Sequence, residues 1–222
     1  MSTFNTPEPI SAVLDIPAGP IRFVAGDQAE TVVEVVPADP SKNRDVKAAE
    51  ATKVEYDAGV LRVSVAVKNQ YFGPSGSVAV SVQLPAGSQV EVKVASSELR
   101  STGRLGDVAI NSSHGSIDLE DVASAKLNLT AGDVSIGRLN GSAEIRTSKG
   151  DIRIAEAAGG ALELRTDVGE IEVGAAAGVS GSLNAGTTTG RIDNALKNAE
   201  GAGAQLTIHA TTTVGDIVAR SL

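Results

Sequence analysis

The chain has 222 residues, a formal net charge of −8 and no cysteine. The missing cysteines exclude disulfides, thiolate metal sites and Cys nucleophiles, and the acidity argues against nucleic acid or an anionic membrane surface as partner. Hydrophobic residues make up 41% but aromatics only 2%, so the apolar content is Val, Ile, Leu and Ala, which suits many thin strands.

In chain order, the first eight residues carry no basic stretch leading into an apolar run, and no later segment is apolar over a membrane-spanning length. The expectation is a soluble cytoplasmic protein without membrane insertion. Strands are expected over 13–16, 21–23, 32–36, 60–67 and 78–82, where β-branched residues cluster or alternate with polar ones. Asp39-Pro40-Ser41 followed by 44–52 reads as one short capped helix with Pro in its first turn. Residues 71–76 read as a loop. Ile16-Pro17-Ala18-Gly19 and Leu84-Pro85-Ala86-Gly87 match one another, so this part reads either as irregular coils of the architecture that follows or as a cap on it.

From about Val92 onward the chain repeats itself. The unit is an alternating apolar run, a Ser/Thr-containing bend, a Gly step and a second alternating run. The steps are Gly115-Ser116-Ile117, Gly132-Asp133-Val134, Gly150-Asp151-Ile152, Gly169-Glu170-Ile171, Gly190-Arg191-Ile192 and Gly215-Asp216-Ile217. Their separations are 17, 18, 19, 21 and 25 residues. Fixed strands with one bend that absorbs insertions produce such a series. The insertions around 175–178 and 198–203 are expected as surface bulges.

Period-2 alternation gives inward pairs before each step: Val108/Ile110, Leu127/Leu129, Ala143/Ile145, Leu162/Leu164 and Leu206/Ile208. After it come Ile117/Leu119, Val134/Ile136, Ile152/Ile154, Ile171/Val173 and Ile217/Ala219. A third apolar position follows at Val122, Leu139 and Leu196. The fold class expected is all-β: a single-stranded parallel β-helix (β-solenoid), with a less regular β-rich region over 1–90, one short helix, and regular coils of about 18 residues over 91–222. A left-handed hexapeptide helix would need an apolar anchor every six residues, which the alternation does not supply.

The Leu/Ile-Pro-Ala-Gly starts, the Gly59-Val60-Leu61-Arg62-Val63 strand and the reiterated Ser/Thr-x-x-Gly-Asp-Ile blocks resemble the putative-adhesin family of β-strand-repeat proteins of unknown function. The resemblance covers nearly the whole chain and implies a right-handed parallel β-helix. It carries no catalytic residues.

Four residue sets merit weighing. Asp133, Asp151 and Glu170 stack on successive rungs and could offer a hard cation its oxygen ligands, or form a solvated column beside Lys149 and Arg153. Ser112, Thr130, Thr147, Thr166, Thr187 and Thr211 form a hydroxyl column that could order water or satisfy backbone groups at bends. Arg146 and Arg165 occupy equivalent positions, with Arg138 and Arg153 nearby, a combination that polysaccharide-cleaving β-helices use beside carboxylates in a cleft. Platforms for sugars are scarce, with Phe4, Phe23, Tyr56, Tyr71 and Phe72 all outside the regular coils. His114 and His209 lie far apart in the repeat.

No nucleophile–base–acid spacing, phosphate loop or zinc motif is present. Catalytic, cofactor-binding and metal residues are therefore expected to be none. The leading expectation is a non-enzymatic β-helical scaffold or adhesin-like binding module without cofactor, whose partner is a protein or another copy; carbohydrate has no support beyond the Arg pair. The alternatives are a self-assembling structural protein similar to bactofilins and a carbohydrate-active β-helix enzyme. The repeat at Val214-Gly215-Asp216-Ile217, running to Leu222 without a polar cap, motivates the polymer.

Overall fold

The computed structural model describes residues 1–65 and 76–222, so the loop expected over 71–76 and the end of the 60–67 strand lie outside the described residues except at Gly76 and 60–65. The chain divides into two compact units, Met1–Gly115 and Ser116–Leu222. Both are built almost wholly of strands whose apolar residues alternate inward.

The first unit holds β1 (Ser2–Asn5), β2 (Ser11–Ala18), β3 (Ile21–Gly26), β4 (Glu30–Pro37), α1 (Asn43–Ala51), β5 (Thr52–Asp57), β6 (Val60–Val65), β7 (Val78–Pro85), β8 (Gln89–Ser96) and β9 (Leu99–His114). β2 lies between β6 and β8, parallel to both, and β3 lies between β7 and the start of β9, also parallel. Antiparallel β4 flanks β7, with β1 beyond it, and β5 folds back on β6. The two Pro-Ala-Gly motifs end β2 and β7, strands of different ladders, so their match does not mark equivalent positions.

The helix falls one residue from its expected place. Pro40 precedes it rather than entering its first turn. Asp39 closes a separate turn ahead of the helix by accepting hydrogen bonds from the Ser41 N–H (3.0 Å) and hydroxyl (2.6 Å). Phe23 is fully buried in β3, while Phe4 and Tyr56 pair with ring centroids 5.3 Å apart.

The second unit is a stack of two-strand rungs. β10 (Ile117–Ala131) spans parts of two. Above it come β11 (Val134–Leu139) with β12 (Ala143–Lys149), then β13 (Ile152–Ala157) with β14 (Gly160–Val168), and β15 (Ile171–Ala175). The chain ends with β16 (Gly181–Thr189), β17 (Ile192–Ala195), β18 (Leu206–Val214) and β19 (Ile217–Ser221). Among the described residues the strands of this unit pair in parallel, rung to rung, as a β-solenoid requires: Ile117 on Val134 on Ile152 on Ile171, and Ala125 on Ala143 on Leu162. All the inward pairs read from the sequence are buried, as are Val122 and Leu139; Leu196 is half-buried. Each buried aliphatic contributes roughly 1.5–3 kcal/mol.

Rung order departs from chain order. β14 pairs with β18, not β16, and β15 pairs with β19; β16 and β17 then pair with the outer edges of β18 and β19. The chain therefore skips one rung after Ala175, builds the outer rung, and returns to fill the gap. The segments expected as surface bulges are these two crossings. Ala175 and Ala176 are buried, while Ala177, Gly178 and the described residues of 198–203 are exposed. The last repeat is likewise no open terminus, because it is bonded on both sides. That removes the motive for polymerisation through Val214 to Leu222.

Candidate functional site

The Gly steps are corners, and one close approach and two sets of hydrogen bonds explain their composition. At Gly150 (φ +142°) the backbone lies against the preceding Gly132 carbonyl so closely that a Cβ would overlap it. The corner carbonyls are satisfied by hydroxyls of the next rung: Thr166 donates to Gly150 O at 3.0 Å, Thr212 to Gly169 O at 3.1 Å and Thr187 to Gly215 O at 3.0 Å. The carboxylates cap the following rung: Asp133 Oδ1 accepts from the Asp151 N–H at 2.9 Å, Asp151 Oδ1 from Glu170 N–H at 2.8 Å, and Asp216 Oδ1 from Arg191 N–H at 2.8 Å. Asp133 and Asp151 of the acidic column are thus engaged with backbone donors.

The hydroxyl column differs from its sequence reading at two places. Leu129 rather than Thr130 stands beneath Thr147, and Thr212 rather than Thr211 stands beneath Thr187, leaving Thr130 exposed and Thr211 on the outward side. Arg153 and Arg138 lie on the other strand line from Arg146 and Arg165. Arg153 pairs with Glu172 at 2.8 Å, which Arg220 also reaches at 2.8 Å, and Arg138 with Glu156 at 3.6 Å.

Several carboxyls sit below their ordinary values. Asp39 falls from 3.8 to about 2, first through the Ser41 hydroxyl and then Lys42. Asp216 is lowered by the Arg191 N–H and guanidinium, and Glu144 by Lys126. A depressed carboxyl binds fewer protons folded than unfolded, so its stabilisation is complete above the unfolded value and is lost as pH falls through the folded one. The melting temperature is expected to hold from neutral pH to the ordinary carboxylate range and to fall below it toward pH about 2. Thermal scans at stepped pH check this, and Asp216→Asn should shallow the decline.

The outward face of β12, β14 and β18 carries a groove of about 530 Å³, lined by Arg146, Glu163, Arg165, Asp167, His209 and Thr211 among others. Register makes it: Arg146 lies directly on Arg165 and Arg165 on Thr211, while Glu144 lies on Glu163 and Glu163 on His209. Like charges directly opposite one another are unfavourable. Arg146 is relieved by Glu144 at 2.9 Å and Glu163 at 3.7 Å. Arg165 has Asp167 at 3.9 Å, and its side chain is 68% exposed. It is the guanidinium with donors to spare, suited to a carboxylate.

The Arg pair was visible in the sequence; Glu163, Asp167, His209 and Thr211 were not grouped with it. His209 and Thr211 reach the groove because the last rung is inserted beside β14. His114 is exposed in the first unit. Among the described residues no helix is long and apolar enough to cross a membrane.

The family model described as Toastrack DUF4097 matches residues 13–221. Among solved structures, a putative adhesin from Bacteroides fragilis is 14% identical, with a TM-score of 0.64, covering 98% of this chain and 95% of that one. A putative cell adhesion protein from Clostridium sporogenes is 12% identical, with a TM-score of 0.47, covering 100% and 98%. No curated protein matches the chain.

Proposed function

The chain belongs to the Toastrack family, and from that premise we propose that it is a non-enzymatic, adhesin-like binding module with the form of a parallel β-helix. Its contact surface is the groove over β12, β14 and β18. The observation that carries this reading is the stacked pair Arg146 and Arg165 with Glu163, Asp167, His209 and Thr211 around it. Rungs recur about every 4.8 Å, so the groove offers cations, acceptors and hydroxyls at a regular step. That pattern fits an extended polar polymer bearing carboxylates, either an acidic peptide or an acidic saccharide, better than a compact metabolite.

The groove does bring carboxylates and Arg together, as a polysaccharide-cleaving site would need. Its polar side chains are nevertheless exposed: Arg165 is 68% and Glu163 67% open to solvent. Water screens such groups, whereas catalytic electrostatics depends on desolvated, fixed donors and acceptors. Binding is the use that open geometry serves.

Binding to arrays of acidic peptides and acidic glycans tests the proposal. The intact chain should retain ligands in a salt-sensitive manner. The Arg146→Ala/Arg165→Ala double variant should lose at least tenfold in affinity, about 1.4 kcal/mol, while its melting changes by no more than exposed ion pairs allow, about 1 kcal/mol. Equal binding by the variant would remove the groove as the contact surface. Release of new saccharide ends by the intact chain would instead favour the enzyme.

A further inference from the structure

The outer rung of the second unit breaks the rules that keep a sheet edge solitary. Among the described residues β16 pairs with β18 and with no strand on its other side, and β17 likewise pairs with β19. Natural edges are blunted by charge, proline, shortness or bulges. β16 spans nine residues, Gly-Ser-Leu-Asn-Ala-Gly-Thr-Thr-Thr, and its register with β18 runs without an irregularity from Gly181 to Thr187. It carries neither charge nor proline, although β12 and β14, flanked by other strands, carry Glu, Arg and further charges.

The core columns also fail to close. Solenoid ends are normally finished by a polar rung. Here Leu162, Ile208 and Leu183 continue one aliphatic column into the outer rung, and Ile171, Ile217 and Ile192 continue another. Ile208 and Ile171 are fully buried, whereas Leu183 is half-buried and Ile192 is 45% exposed.

We infer that this end is an isologous interface and that its occupant is a second copy of the same chain, paired edge to edge about a two-fold axis at Ile192. The charge pattern selects that occupant. Ile192 is flanked by Arg191, whose exposed guanidinium reaches its own chain's Asp216 at 3.1 Å and has further donors free, and by exposed Asp193, opposite charges placed symmetrically. Antiparallel pairing about Ile192 sets each Arg191 against the partner subunit's Asp193, and covers both isoleucines. Two chains of net charge −8 repel elsewhere, but meet here across a self-complementary pair. A two-fold contact uses up the edge, so assembly stops at the dimer instead of growing into a filament.

Analytical ultracentrifugation of the full chain over a dilution series tests this. A concentration-dependent dimer is expected. Asp193→Lys and Arg191→Asp should each raise the dimer dissociation constant at least tenfold, because each sets like charges against one another in the homodimer. Mixing the two single variants should restore a heterodimer, since every cross pair is then opposite in sign. Recovery of a heterodimer on mixing guards against a variant that merely misfolds. A chain that stays monomeric, open-ended polymers, or a mixture that does not recombine would each overturn the inference. Ligand binding by the groove does not depend on the outcome, so the two proposals fail separately.

Discussion

Removing residues 206–222 is expected to lower the melting temperature by 10 °C or more and to expose the amides of 181–195 to exchange. In a solenoid whose rungs follow chain order, the same deletion trims the last coil and leaves the remainder nearly as stable as before. Here β18 and β19 lie between β14–β15 and β16–β17. The deletion takes out Leu206, Ile208, Ala210, Ile217 and Ala219, all buried. Loss of the three large side chains alone costs about 5 kcal/mol or more at roughly 1.5–3 kcal/mol each. At about 2–4 °C per kcal/mol for a chain of this size, the expected fall follows. Calorimetry gives the first quantity and hydrogen exchange the second. A truncated chain that melts within about 3 °C of the parent, with 181–195 still protected, would contradict the inserted rung.

That insertion also separates what the sequence conveyed from what it hid. Alternation fixed which side chains face inward, because burying one face of a strand leaves one parity available. It could not order the rungs. Leu162/Leu164, Leu183/Ala185 and Leu206/Ile208 are interchangeable as inward pairs, so neighbours are not distinguished by their apolar residues. The signal lay in the spacing. Steps of 17 to 19 residues carry the chain one rung, and the steps of 21 and 25 include the connections that skip one and return. Read as insertions, they pointed to bulges.

The groove inherits the same ambiguity. Arg146 and Arg165 sit on successive rungs in chain order, and equivalent sequence positions exposed them. Glu163 meets His209, and Arg165 meets Thr211, only through the inserted rung. No local pattern links residues more than forty positions apart. The hydroxyl column was misread at Thr211 for a smaller reason. Thr211, Thr212 and Thr213 follow one another, and composition cannot say which of three adjacent threonines points to the corner; parity with Ile208 and Ala210 does, and selects Thr212.

Gly150→Ala is expected to cost about 3–4 kcal/mol, an exceptional loss for one methyl group. Two separable effects contribute. A residue with a Cβ at φ +142° leaves its allowed region, a cost of about 1–3 kcal/mol. The added carbon would also lie 2.5 Å from the Gly132 carbonyl carbon and 3.0 Å from Asp133 Oδ1. Backbone cannot swing aside as a long side chain can, so the rungs must part at this corner. Parting them stretches the bond from the Asp151 N–H to Asp133 and the one from Thr166 to Gly150 O. Gly178→Ala isolates the first effect. Gly178 also has positive φ, +83°, but a Cβ there meets nothing within 4 Å. Chemical denaturation of the two variants should therefore differ by about 2 kcal/mol, with the larger loss at Gly150. Equal losses would mean that glycine is required at the corner for its dihedral angles alone. The close stacking of carbonyl, hydroxyl and carboxylate would then be a consequence of the turn.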